Sequence, residues 1–141
     1  MAKQRFRTFA AVGLLTVTLG GSAYAGDGAL STPLSGKWIL SDKETALDGH
    51  LCTSSAMLWG DHVTLKVPPG ATAFEGRAGL TSRGGHTALT VKADGQEREN
   101  LALHYGKSEA VRIPLKDVKT ITFAVPQPYP AVTVCNPTFI R

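Results

Sequence analysis

From His62 to the C-terminus, apolar and polar positions alternate in short runs. In "HVTLKV", Val63, Leu65 and Val67 fall on one side and His62, Thr64 and Lys66 on the other, the period-two signature of a half-buried strand. "PPG" at Pro68–Gly70 ends that run. "ATAFEGRAGL" then sets Phe74, Ala78 and Leu80 against Glu75 and Arg77, and "SRGG" at Ser82–Gly85 turns the chain again. "HTALTVKADG" points Leu89, Val91 and Ala93 inward, and its Asp94-Gly95 pair is a two-residue hairpin signal. In "QERENLALHYG", strict alternation would place Glu97, Glu99, Leu101 and Leu103 on one face, which predicts a bulge near Asn100. Val111, Ile113 and Leu115 alternate in "VRIPLKDV", where Pro114 requires an edge or a bulge. "TITFAV" follows through Ile121, Phe123 and Val125, and "QPYP" is a loop. "AVTVCNPTFI" closes the series, with Val132 and Val134 opposite Thr133 and Cys135.

Upstream of His62, Trp38, Ile39 and Leu40 form an apolar triplet that reads as a short strand or docked segment, and Asp48-Gly49 bends the chain. "GDGALSTPLSGK" is rich in Gly, Ser, Thr and Pro, so residues 26–37 read as a flexible or extended segment. No helical periodicity stands out after residue 25. Regularly spaced strands with one apolar face each predict an all-β domain over residues 38–141, a single antiparallel β-sandwich.

The first 25 residues differ in kind. Lys3, Arg5 and Arg7 precede the apolar run "FAAVGLLTVTL", and "GGSAYA" ends with small residues at Ala23 and Ala25. This is the pattern of a cleaved secretory signal peptide, and the apolar run is shorter than the roughly 20 residues of a membrane span. A secreted, extracellular protein with no span after signal removal is the expectation. Removing residues 1–25 also changes the charge. Three of the 15 Lys and Arg residues lie there and all 11 acidic residues lie beyond it, so the net charge falls to about +1 and no basic run remains to grip nucleic acid. The remaining chain of about 116 residues suits one domain with one core.

"LDGHLCTSSAMLWGDH" gathers His50, Cys52, Trp59, Asp61 and His62, a thiol near two imidazoles and a carboxylate, which are the groups a cysteine nucleophile needs. The cysteine count argues otherwise. Cys52 and Cys135 are the only two, and an even count in an exported chain implies pairing. Their disulfide closes a loop of about 84 residues and contributes roughly 4.5 kcal/mol in the chain-entropy account. No HExxH, GxSxG or Cys/His metal spacing occurs, so neither catalysis, a metal nor a cofactor is expected.

The order "VTLKVPPGATAFEGRAGL", "ALTVKADGQE", "VRIPLKDVKTITFAV" and a closing strand resembles the NPCBM family of carbohydrate-binding modules. Phe74, Gly76 and Gly79, then Val91 to Gly95, then Val111 to Val125 carry the match, which covers residues 62–125 with a weaker fit to residue 140. The resemblance implies a jelly-roll-like, galactose-binding-like sandwich with a glycan as ligand and no catalysis. This chain departs from the family in the loop "TSRGGH", where Arg83 and His86 replace carboxylates, which argues against calcium there.

Sugar recognition calls for an aromatic platform beside hydrogen-bonding groups. Phe74, Phe123 and Phe139 lie in strands and read as packing, and Trp59 reads as core. Tyr105 and Tyr129 lie in loops and, with Arg83 and His86, are the candidates for ligand contact. The rival expectation is an adaptor joining larger secreted proteins, with "STPLSGKWIL" adding to a partner's sheet edge through Trp38, Ile39 and Leu40. A protease inhibitor, presenting "VPQPYPAV" as a rigid loop, has less support.

Overall fold

The computed structural model describes residues 27–141, so the signal-peptide reading of residues 1–25 lies outside the described residues. A one-turn helix, α1 (Asp27–Ser31), precedes ten strands: β1 (Ser35–Ser41), β2 (Thr45–Leu47), β3 (His50–Cys52), β4 (Ser55–Lys66), β5 (Ala73–Leu80), β6 (His86–Ala93), β7 (Gln96–His104), β8 (Glu109–Pro114), β9 (Thr120–Ala124) and β10 (Val132–Ile140). Apart from the small β2–β3 hairpin, all strands join one antiparallel sheet ordered β7-β6-β9-β4-β10-β5-β8, with β1 also on β4.

The long strand β4 gives this sheet its shape. Its first half, Ser55–Met57, pairs with β10, and its second half, His62–Lys66, pairs with β9. One strand therefore serves both layers of the sandwich. The bend between the halves falls at Gly60, whose φ is +87°. Opposite it, the β1 register shifts between Gly36 and Lys37, because β4 carries the extra residues Gly60, Asp61 and His62 there. Gly36 has φ +70°, and a Cβ there would collide with the carbonyl oxygen of His62, so the close approach of β1 to the corner requires glycine. On the far side β7 lies against β5 and β8, which closes the layers into a flattened barrel.

The core sits between the layers. Phe74 of β5 meets Phe123 of β9 at 5.0 Å between ring centroids, Phe139 of β10 packs on Phe74 at 5.5 Å, and Trp38 of β1 stacks on Phe123 at 5.6 Å. Val63, Leu65, Leu89, Val91, Ile113 and Ile121, placed inward by their alternation, are fully buried around them. A satellite core lies beneath the β2–β3 hairpin, where Leu47 covers the Cys52–Cys135 disulfide.

Three expectations change at this level. The N-terminal segment is docked from Asp27 onward: Leu30 is buried, Leu34 N–H donates to the Thr64 carbonyl at 2.8 Å, and β1 begins at Ser35. The apolar Leu30 inside an otherwise loop-like composition supplies the anchor. The bulge in β7 falls at Arg98 rather than Asn100, because Val91 faces Glu99 while Lys92 faces Glu97. Placing the extra residue there keeps Glu99 in register with Leu101 and Leu103 and takes up the slack beside the hairpin turn. β4 also begins at Ser55, seven residues before the alternating run, since the exposed Trp59-Gly60-Asp61 corner interrupts its pattern. Pro114 ends β8, the outermost strand of the path, where its missing N–H costs no ladder bond.

Candidate functional site

Three loops converge at one end of the sandwich. The Ser82–Gly85 turn precedes β6, the Tyr105–Lys107 turn follows β7, and residues 126–131 link β9 to β10. Tyr105 N–H donates to the Gly85 carbonyl at 3.0 Å, joining the first two. The third packs on them so closely that a Cβ on Gly85 would lie 3.2 Å from the Pro130 ring. Arg83, His86, Tyr105 and Tyr129 are thereby brought to the same end, and all are exposed, Tyr105 by 45% and Tyr129 by 71%. His104 joins them, its ring 6.2 Å from that of His86. Alternation in β7 did not single out His104; its position directly opposite His86 comes from the β6–β7 register.

Beside Tyr105 lies a cleft of about 310 Å³ lined by Thr81, Leu80, Gly106 and the Ala46–Asp48 end of the β2–β3 hairpin. Asp48 is held there by Ser108, whose N–H and Oγ–H both donate to its Oδ2 at 2.9 and 3.2 Å, while Arg77 donates to Ser108 Oγ at 3.1 Å. The backbone hydrogen bond from Ser108 is the main cause that lowers the Asp48 pKa below the ordinary carboxylate value, so the group stays ionised. The cleft thus combines an aromatic wall, a hydroxyl and a fixed carboxylate.

The N-terminal candidates lie elsewhere. Trp38 is not available as a partner anchor: it is only 6% exposed, it stacks on Phe123, and its indole N–H donates to the Leu30 carbonyl at 2.7 Å. Ile39 and Leu40 are each 41% exposed on β1. Trp59, expected in the core, is 57% exposed at the β4 corner. Trp38 is buried because β1 feeds it between the layers, and Trp59 leaves its expected place because the bend at Gly60 carries it out of them.

The cluster between Leu47 and His62 is resolved by the disulfide. Cys52 and Cys135 are bonded with their Cα atoms 5.2 Å apart, so neither is a nucleophile. Ser35, His62 and Asp61 do line up in hydrogen-bonding order, Ser35 Oγ to His62 Nε2 at 3.4 Å and His62 Nδ1 to Asp61 Oδ1 at 2.9 Å. Water reaches all of it: the side chains of His62 and Asp61 are 44% and 66% exposed, whereas a triad carboxylate works from a buried position. The hydrogen bond from His62 is the main cause lowering the Asp61 pKa. Among the described residues no group of three or more His, Cys, Asp or Glu side chains is placed to hold a metal ion, and no helix is long and apolar enough to cross a membrane.

No known family pattern and no curated protein matches the sequence. Solved structures do match the fold. The M60 catalytic domain of Clostridium perfringens ZmpB with its CBM51-1 and CBM51-2 domains aligns at a TM-score of 0.61 and 14% identity, over 77% of this chain and 14% of that one. CBM51-2 of the same protein with its INT domain, in complex with GlcNAc, aligns at 0.60 and 11% identity over 77% and 28% of the two chains. CBM51 from C. perfringens GH95, in complex with methyl-galactose, aligns at 0.59 and 8% identity over 78% and 93%. The chain therefore spans a minor part of the multidomain neighbours and nearly all of an isolated module. Its fold is the β-sandwich of carbohydrate-binding modules, stapled here by one disulfide.

Proposed function

We propose that this chain is a secreted, non-catalytic glycan-binding module whose ligand end is the three-loop cluster carrying Arg83, His86, Tyr105 and Tyr129. The observation that supports it most is the convergence itself. Two exposed tyrosines and a guanidinium come from three separate loops, two imidazoles come from the adjoining ends of β6 and β7, and a cleft containing a fixed carboxylate opens beside Tyr105. Aromatic faces receive the apolar side of a sugar ring, while the polar groups meet its hydroxyls. The modules of similar fold bind methyl-galactose and GlcNAc, so neutral hexoses and N-acetylhexosamines are the ligand class to try first. The signal-like leader and the paired cysteines support an exported protein.

The adaptor reading has weaker support. It asks the N-terminal segment to add to a partner's sheet, but β1 pairs along β4 and Trp38 is occupied in the core. Ile39 and Leu40 alone would have to anchor a partner.

A glycan array carrying galactose and N-acetylglucosamine termini tests the proposal. The folded protein should be retained, and Tyr105→Ala should weaken retention about tenfold with an unchanged melting curve. A folded wild-type protein retained by no glycan would overturn the reading.

A further inference from the structure

We propose that Trp59 forms a second sugar-contact surface, a stacking platform at the β4 corner for a pyranose ring of the same glycan class. The inference rests on the glycan-binding reading and extends it to a surface built from different elements. Trp59 is the largest exposed apolar side chain of the described residues, open by 57%. The chain holds it out by construction: Gly60 at φ +87° bends β4 immediately after it, and Gly36 lets β1 close against His62 on the other side. A side chain placed outward by two conformationally demanding glycines is not there through loose packing.

The surroundings of the ring select the occupant. Lys37, paired opposite Trp59, holds its exposed ammonium over one face of the indole, 5.9 Å from the ring centroid, where a sugar ring would displace it or take the other face. Asp61 and His62 follow along β4, linked at 2.9 Å, and Ser35 reaches His62 Nε2 at 3.4 Å. Along the same stretch of β1 and β4 the chain offers an ammonium that only donates, a carboxylate that only accepts and a hydroxyl that does both. A protein partner seated on Trp59 would have to desolvate these charges. A sugar instead stacks its C–H face on the indole and turns hydroxyls, each both donor and acceptor, toward these groups.

The surface also adjoins the three-loop end. Val125 N–H donates to the Asp61 carbonyl at 2.9 Å, and Thr133 pairs with Met57, so residues 126–131 pass beside the corner with Tyr129 among them. A glycan longer than one residue has two aromatic landing points on neighbouring elements.

The test uses the full secreted protein with methyl-galactoside, N-acetylglucosamine and gastric mucin as probes. Of the two tryptophans, Trp38 is buried, so ligand-induced changes in emission report on Trp59. Mucin should shift the emission to the blue and protect it from acrylamide. Trp59→Ala should melt as wild type and lose about tenfold in mucin retention, with Trp59→Phe recovering part of it. Retention by Trp59→Ala equal to wild type, while Tyr105→Ala loses it, would overturn the platform and leave the glycan reading standing. A wild-type protein that retains none of the three probes would bring down both.

Discussion

Asn136 shows how much one residue organises. It sits at φ +52° inside the β10 irregularity between Cys135 and Thr138, a conformation that Asn tolerates better than most residues. From there its Oδ1 accepts from the N–H groups of Thr53 and Ser54 at 2.9 and 3.2 Å, and its Nδ2 donates to the Leu51 carbonyl at 3.2 Å. The strand that carries Cys135 is thus also hydrogen-bonded to the loop that follows Cys52. Asp94 plays a comparable part at the β6–β7 hairpin. Its φ of +49° suits the turn, and its Oδ1 accepts from the N–H groups of Lys119 and Thr120, both at 3.0 Å. The backbone bond from Thr120 is the foremost cause holding its pKa below the ordinary carboxylate value. A depressed folded pKa contributes stability that is complete above the unfolded pKa and is lost as pH falls through the folded one. Urea midpoints should therefore decline below about pH 4, and Asp94→Asn, which keeps the turn and the acceptor oxygen, should flatten that decline. Identical acid limbs for the two proteins would count against the assignment.

At the scale of elements, the β4 corner is the part that local pattern conveyed least. Alternation marked its second half, from His62, because Val63, Leu65 and Val67 keep period two there. In the first half Ala56 and Leu58 also face inward, but three consecutive exposed residues separate the two stretches and reset the phase. The two glycines at the corner differ in a measurable way. A Cβ on Gly60 meets nothing within 4 Å, so Gly60→Ala carries only the strain of positive φ, about 1–2 kcal/mol. Gly36→Ala carries that strain plus a collision with the His62 backbone and should cost clearly more. Chemical denaturation of the two variants checks the order, and equal losses would mean that β1 is not pressed against the corner.

For the whole molecule, the Cys52–Cys135 bond ties the small β2–β3 hairpin to the last strand of the main sheet. Because the main core between the layers is separate from the satellite core around Leu47, reduction should destabilise the protein by about 2–5 kcal/mol while leaving a β-rich fold. Urea titrations with and without reductant, read by circular dichroism, measure this. An unchanged midpoint would show that the staple constrains little of the unfolded chain.

Strand content, the Asp94-Gly95 hairpin, the restriction of Pro114 to an edge or a bulge and the pairing of two cysteines followed from the sequence by itself, since each rests on local periodicity, on turn chemistry or on a count. The sandwich class followed from the same alternation, and resemblance narrowed it to the carbohydrate-binding type. Tyr105 and Tyr129 were readable as loop aromatics, but nothing local says that their loops touch; Gly85 joins them through a backbone bond and a ring contact that exist only in three dimensions. The fates of Trp38 and Trp59 were likewise decided by tertiary structure. Each lies beside apolar neighbours, and a period-two pattern does not say which face of a strand will meet the opposing layer once a glycine bends it. Burial is settled by where Phe123 stands, and Phe123 is brought to Trp38 by strand order rather than by sequence proximity.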